Sequence, residues 1–174
     1  AAGCDLIETN TFLSSPLALA EYGLEDRAEE LNRRAVELAR EAARRHATPD
    51  KPRWVLGSVG PGLRLPSLGQ VDEASLLESH RVQVRALLEA GVDGLVLETC
   101  QDLLQIRTGL QVALELREEL WLEDVILMVS VTVEMTGRLL SGHDLSEVIT
   151  EVSDSPIDLL GLNCATGPRE MGRH

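Results

Sequence analysis

Two side chains with chemical capacity close a short apolar run, Ile157-Asp-Leu-Leu-Gly-Leu-Asn163-Cys164, which is followed by Gly167 and Pro168. A run this short between turn residues reads as a buried strand, with Pro168 as the first residue of a helix. Chemistry in barrel and open α/β folds collects at the carboxyl ends of such strands. Cys164 alone carries little weight, because a free cysteine behaves as a small hydrophobe and is commonly buried. Its weight comes from repetition: apolar stretches also turn polar at Glu8-Thr9-Asn10, Ser58, Glu98-Thr99 and Ser130 to Thr132.

Gathered on one rim, these residues make a polar set with two carboxylates and one soft thiol. Glu8 and Glu98 could be a glycosidase pair, but that chemistry requires a fixed separation that the sequence does not supply. A carboxylate beside amides and a thiolate suits a zwitterionic sulfur compound better, the acid holding an ammonium group and the cysteine a metal. On pattern alone Glu98 reads equally well as a solvated or helix-capping carboxylate. His143 reads as a turn residue beside a helix cap, and Cys4 and Cys100 as unreactive core or sub-surface thiols.

The elements that must position this set follow from periodicity. Leu24, Ala28, Leu31, Ala35, Leu38 and Ala42 recur at helical spacing, with Glu29/Arg33, Glu30/Arg34 and Glu41/Arg45 as i,i+4 pairs on the outer face. Asp72 is placed to cap a helix carrying Leu77, Val84 and Leu87 that stops at Gly91. A further helix from about Asp102 carries Leu103, Ile106, Leu110, Ala113 and Leu114, and Asp144 with Glu147 forms a capping box for one carrying Leu145, Val148, Ile149 and Val152. Between them run strands at Asp5–Phe12, Trp54–Pro61, Gly94–Thr99, Val125–Thr132 and 157–163. The fourth is continuously apolar before its polar end, as a strand buried on both faces would be. Strand ends recur every 30 to 50 residues or so, the size of a βα unit. No G-x-G-x-x-G or Walker sequence follows any strand, so nucleotide-binding versions of the open sheet lack support. The expected class is α/β, a parallel (β/α)8 TIM barrel of which residues 1–174 supply about five strands as one partial domain.

Composition narrows the partners. The net charge of −13 and only four aromatic residues exclude an ordinary nucleic-acid groove. No stretch of about 18 apolar residues and no basic, then apolar leader occurs, so neither membrane span nor signal peptide is expected, and the cytoplasm is the expected location. Three cysteines 96 and 64 residues apart suit neither a disulfide framework nor a zinc knuckle. The opening Ala1-Ala-Gly-Cys4, without Met and almost directly in a strand pattern, reads as an internal piece.

Glu8-Thr-Asn-Thr-Phe12, Glu21-Tyr-Gly-Leu24, Gly57-Ser-Val-Gly-Pro61, Leu97-Glu-Thr-Cys-Gln-Asp102, Val129-Ser-Val-Thr132 with Gly137-Arg138, and Gly161-Leu-Asn-Cys-Ala165 together resemble the homocysteine-binding module of the zinc-dependent homocysteine S-methyltransferase family. The likeness spans essentially the whole chain. Cys-Ala-Thr-Gly-Pro168 and Glu98-Thr-Cys-Gln-Asp look more like the bacterial cobalamin-dependent members than the betaine-using or S-methylmethionine-using ones. The resemblance implies a barrel of which this chain supplies about strands two to six, without the family's opening Asp-Gly motif and its late Gly-Gly-Cys-Cys-Gly motif. It implies a zinc held by three cysteines, Cys164 matching the first and the other two lying in that missing motif. Glu98 matches the carboxylate that holds the homocysteine amino group, with Asn163, Ser130 and Asn10 as further substrate contacts. No residue of this chain is read as a chemical catalyst.

The implied reaction is methyl transfer from methylcobalamin to a homocysteine thiolate, giving methionine, with folate- and cobalamin-binding modules as partners in the parent chain. The competing readings are a betaine- or S-methylmethionine-type methyltransferase, a non-catalytic half barrel, and an unrelated barrel lyase or isomerase using Glu8 and Glu98 as acid and base. The isolated chain is expected to be inactive, to hold zinc weakly through Cys164 with Cys100 the only substitute ligand, and to self-associate through open sheet edges.

Overall fold

A computed structural model of the protein describes residues 3–173. At its centre is one five-stranded sheet whose neighbouring strands are all parallel and lie in chain order: β1 (Leu6–Glu8), β2 (Trp54–Val59), β3 (Gly94–Cys100), β4 (Ile126–Val131) and β5 (Leu159–Leu162). Between them come α1 (Pro16–Leu19), α2 (Ala28–His46), α3 (Glu73–Glu89), α4 (Leu103–Glu119) and α5 (Leu145–Val152), and α6 (Pro168–Met171) follows β5. A doubly wound sheet reverses its strand order at a switch point, whereas this order never reverses. The sheet is therefore an arc of a (β/α)8 barrel, as expected from the sequence.

The two faces of the sheet differ. Val55, Val59, Leu95, Leu97, Leu127 and Val129 are buried in one cluster with Val36, Val84, Leu87, Ile106 and Leu110 of the helices. On the other face Leu6, Trp54, Ile126 and Leu159 stay between 40% and 52% exposed. That face corresponds to a barrel interior, and an open arc offers it no opposing wall. Two expectations fail for this reason: β4 is buried on one face only, with Ile126, Met128 and Ser130 less covered, and β5 is an edge strand rather than a buried one.

Helix α2 carries the largest departure. Its buried stripe is Ala28, Asn32, Val36, Ala39 and Ala43, one residue on from the expected Leu31, Ala35, Leu38 and Ala42, so the helix is turned by about 100°. Leu38 is 52% exposed. A buried amide sets the turn: Asn32 Nδ2 donates to Ser14 O at 2.8 Å and to Ala28 O at 2.7 Å, and Gln83 Nε2 of α3 donates to Asn32 Oδ1 at 3.3 Å. On the solvated face Glu29–Arg33 and Glu41–Arg45 pair as expected, but Glu30 pairs with Arg27 and Arg34 with Glu37. Such exposed pairs contribute little, and either register suffices.

The helix starts follow their caps. Asp72 accepts from Ser75 N at 2.8 Å, Asp102 from Leu104 N at 2.9 Å, and Asp144 and Glu147 form the reciprocal box. At its other end α4 closes in a Schellman motif, Leu122 N donating to Arg117 O and Trp121 N to Glu118 O. Trp121 occupies the left-handed position at φ 57°, where a side chain is disfavoured, and is 84% exposed. Trp121→Gly should therefore stabilise the fold by about 1 kcal/mol, because it relieves the left-handed strain and sacrifices little burial. A rise in the urea midpoint at unchanged slope is the expected reading.

Candidate functional site

The five strands point their carboxyl ends to one rim, so Glu8, Ser58, Glu98, Ser130 and Asn163 come together there. Side chains alternate along each strand, and the register sets Glu8 beside Leu56, Ser58 beside Val96 and Ser130 beside Gly161 on the interior face. Ser58 Oγ donates to Glu98 Oε1 at 2.5 Å, which aims a half-buried carboxylate across the rim. Glu8 lies close enough to Glu98 to feel its charge. Although Glu8 is largely solvent-exposed, its carboxyl is raised above the ordinary carboxylate range, first by partial desolvation and then by Glu98.

Beyond Glu8 the chain is pinned from below. Thr9 and Thr11 are buried, their hydroxyls 2.6 Å apart, with Ser58 N donating to Thr9 Oγ1 and Thr11 Oγ1 to Ser58 O. Gln83 Nε2 donates to Thr11 O at 2.7 Å. Asn10 between them is exposed, and its amide makes no side-chain hydrogen bond among the described residues. Gly60 is required here by close approach: a Cβ on it would collide with the Phe12 carbonyl oxygen.

Strand β3 breaks register at its end. Leu97 pairs with Val129 and Cys100 with Val131, so Glu98 and Thr99 together oppose the single residue Ser130. This is a β-bulge, and Thr99 takes φ 59° within it. Strict alternation would turn Cys100 to the same face as Glu98. The extra residue turns it instead into the helix layer, where it is buried and its thiol is pushed up to about 12, chiefly by desolvation and then by the nearby Glu98 charge. The expectation that Cys100 could stand in as a rim ligand is thereby corrected. Cys4, expected in or just under the core, is exposed.

Asn163, at the end of β5, reaches back across two strands. Its Oδ1 accepts from Ser130 Oγ at 2.7 Å and from Thr99 N at 3.2 Å, while its Nδ2 donates to Thr99 Oγ1 at 2.8 Å. The next residue, Cys164, is exposed with φ 61°, and Ala165 follows at φ 39°. Its thiol thus stands at the open edge of the arc on the same rim as Glu98. Among the described residues no three His, Cys, Asp or Glu side chains converge as a metal site. The donor set for a zinc therefore fits only in part: this chain offers one accessible thiolate donor, and two or three others would have to come from elsewhere. His143 is a turn residue, its Nδ1 2.8 Å from Ser141 Oγ.

Sequence reasoning missed the residues that hold the loops over the rim. Asp102 is buried and, besides capping α4, accepts from Ser67 N at 2.9 Å and from Ser67 Oγ at 2.6 Å. Gln105 Nε2 donates to Pro61 O and Arg64 O, and its Oε1 accepts from Gln101 N. Together they fasten the β2–α3 loop to the start of α4. The signal that could have found Asp102 was its place at the expected start of a helix; nothing in one sequence marked Gln105.

Comparison with known proteins gives a consistent result. A family model described as homocysteine S-methyltransferase matches residues 1–174. The chain is 37% identical over 173 residues to a methionine synthase of Mycobacterium tuberculosis, covering 99% of this chain and 14% of that protein. It is 38% identical over the same length to a methionine synthase of Mycobacterium leprae. The chain thus spans about one seventh of the length of these relatives. Among solved structures, the metallated homocysteine methyltransferase MmuM from Escherichia coli superposes with a TM-score of 0.77 at 26% identity, over 98% of this chain and 61% of that one.

Two outcomes follow from the rim geometry. Peptide-resolved alkylation under native conditions should label Cys4 and Cys164 rapidly and Cys100 only after denaturation, since the thiolate is the reactive form and Cys100 is both buried and held protonated. Glu8→Gln should raise the melting temperature at pH 7, because ionised Glu8 in the native state is desolvated and repelled by Glu98. That gain should shrink as the pH falls through the carboxylate range, where wild-type Glu8 binds its proton more readily folded than unfolded.

Proposed function

The chain belongs to the homocysteine S-methyltransferase family, and from that premise we propose that it is the substrate-gripping arc of a methyltransferase barrel of the methionine synthase type. The substrate is homocysteine, the methyl donor methylcobalamin and the product methionine. The observation that carries this reading is that a half-buried carboxylate, Glu98, shares a rim with an exposed thiol, Cys164. Those groups suit the two ends of a zwitterionic thiol. Family membership also removes the unrelated lyase or isomerase as a competitor. Identity of 37–38% with methionine synthases against 26% with MmuM favours the synthase-type reading over other donors.

Each residue then has a task. The Glu98 carboxylate takes the substrate ammonium, and the Ser58 hydroxyl hydrogen-bonds the charged form and fixes its direction. The amide of Asn10 is available to the substrate carboxylate, whereas Ser130 and Asn163 serve by bonding to each other and to Thr99. Cys164 would hold zinc together with thiolates outside these residues. When bound, zinc supplies a Lewis acid that lets the substrate thiol lose its proton at neutral pH, where a free thiol of pKa about 8.5 is mostly protonated. Holding ammonium and sulfur at once orients the nucleophile, which is a positioning contribution. The folate- and cobalamin-binding partners belong to the remainder of a much longer cytoplasmic parent chain, and the 174-residue arc alone is not a competent enzyme.

The test is Glu98→Gln in the full-length gene product. Homocysteine binding measured by calorimetry should weaken by about 1.5–3 kcal/mol, the worth of a hydrogen bond to a charged group, while zinc content by metal analysis stays unchanged. Loss of zinc with normal homocysteine binding would reverse the assignment.

A further inference from the structure

Asn163 is the residue best placed to contact substrate by its position after β5, yet its side chain is already engaged. Both lone-pair directions of Oδ1 are taken, by Ser130 Oγ and Thr99 N, and one of the two Nδ2 protons goes to Thr99 Oγ1. These bonds tie the ends of β3, β4 and β5 to one amide. Two of the three end on Thr99, a β-branched residue at φ 59°, where such residues are genuine outliers. A conformation of that kind persists only where its surroundings enforce it. The N–H that Asn163 accepts is the one this conformation presents, and Thr99 is the extra residue of the bulge and the next residue after Glu98, so its backbone holds the strand end that carries the carboxylate.

We propose that Asn163 is a positioning residue: its amide clasps the Thr99 bulge and thereby fixes the Glu98 carboxylate relative to Cys164, the residue that follows it. This rests on the reading that Glu98 and Cys164 grip the two ends of homocysteine. The clasp is the only link among the described residues by which the carboxylate strand and the thiol strand share a side-chain hydrogen bond. Without it, Thr99 relaxes toward φ below zero, the bulge shifts, and Glu98 loses its aim.

The test uses the full-length gene product and calorimetric titration with homocysteine, with zinc content measured in parallel. Asn163→Ala should raise the homocysteine Kd about tenfold or more, the usual cost of losing an orienting partner. Adding Thr99→Gly should return most of that loss, because glycine adopts φ above zero without a clasp. Rescue separates the clasp from direct contact: if Asn163 touched the substrate, glycine at 99 could not replace it. An unchanged Kd for Asn163→Ala, or a loss that Thr99→Gly leaves intact, overturns the proposal. Should Asn163→Ala fail to fold, Thr99→Val deletes only the Nδ2–H···Oγ1 bond and should still weaken binding severalfold; no change overturns the clasp. Wild-type protein that binds no homocysteine overturns the functional reading itself, and this one with it.

Discussion

The break in register at the end of β3 governs what this rim can do. Up to Leu97 the strand alternates strictly, its odd residues under the helices and its even ones on the interior face. One inserted residue then separates two chemical groups that alternation would have left on the same face. Glu98 keeps the interior face, where Ser58 can reach it, while Cys100 is returned to the helix layer and sealed there as a neutral thiol. Bulges are uncommon between parallel strands, and one beside a candidate site re-aims side chains at the expense of a ladder bond. Here a left-handed threonine and a side-chain amide from two strands away accompany it.

The loops around that rim are fastened by buried polar groups rather than by apolar packing. The Thr9, Thr11, Ser58 and Gln83 network holds the segment after β1, and Asp102 with Gln105 holds the segment after β2. Hydrogen bonds of this kind are directional and costly to leave half made, so they specify one loop geometry where hydrophobic contacts would tolerate several. Gln83 also shows the limit of the device, since its Oε1 is buried with no partner among the described residues. The same amide cluster extends to Asn32 and fixes the rotation of α2, so the helix layer and the rim loop share one set of polar contacts.

What was legible in the sequence was whatever a local pattern fixes. Strand positions, the caps at Asp72 and Asp144, the helix start near Asp102, the stop at Gly91 and the start at Pro168 depend on residues within a turn of one another, and all appear where expected. Long-range decisions were not legible. The buried face of α2 was misjudged because Leu38 outweighs Asn32 on any hydrophobic scale, whereas a partner 51 residues away buries the amide. The burial of β5 was misjudged because an apolar run does not reveal whether a neighbour covers it. Cys100 was legible as a core thiol, but its reading as a substitute rim ligand failed because alternation is the default and nothing within Glu98-Thr-Cys announces an extra residue. The candidate site was legible as a set of residue types; the division of that set into contacts and supports was not.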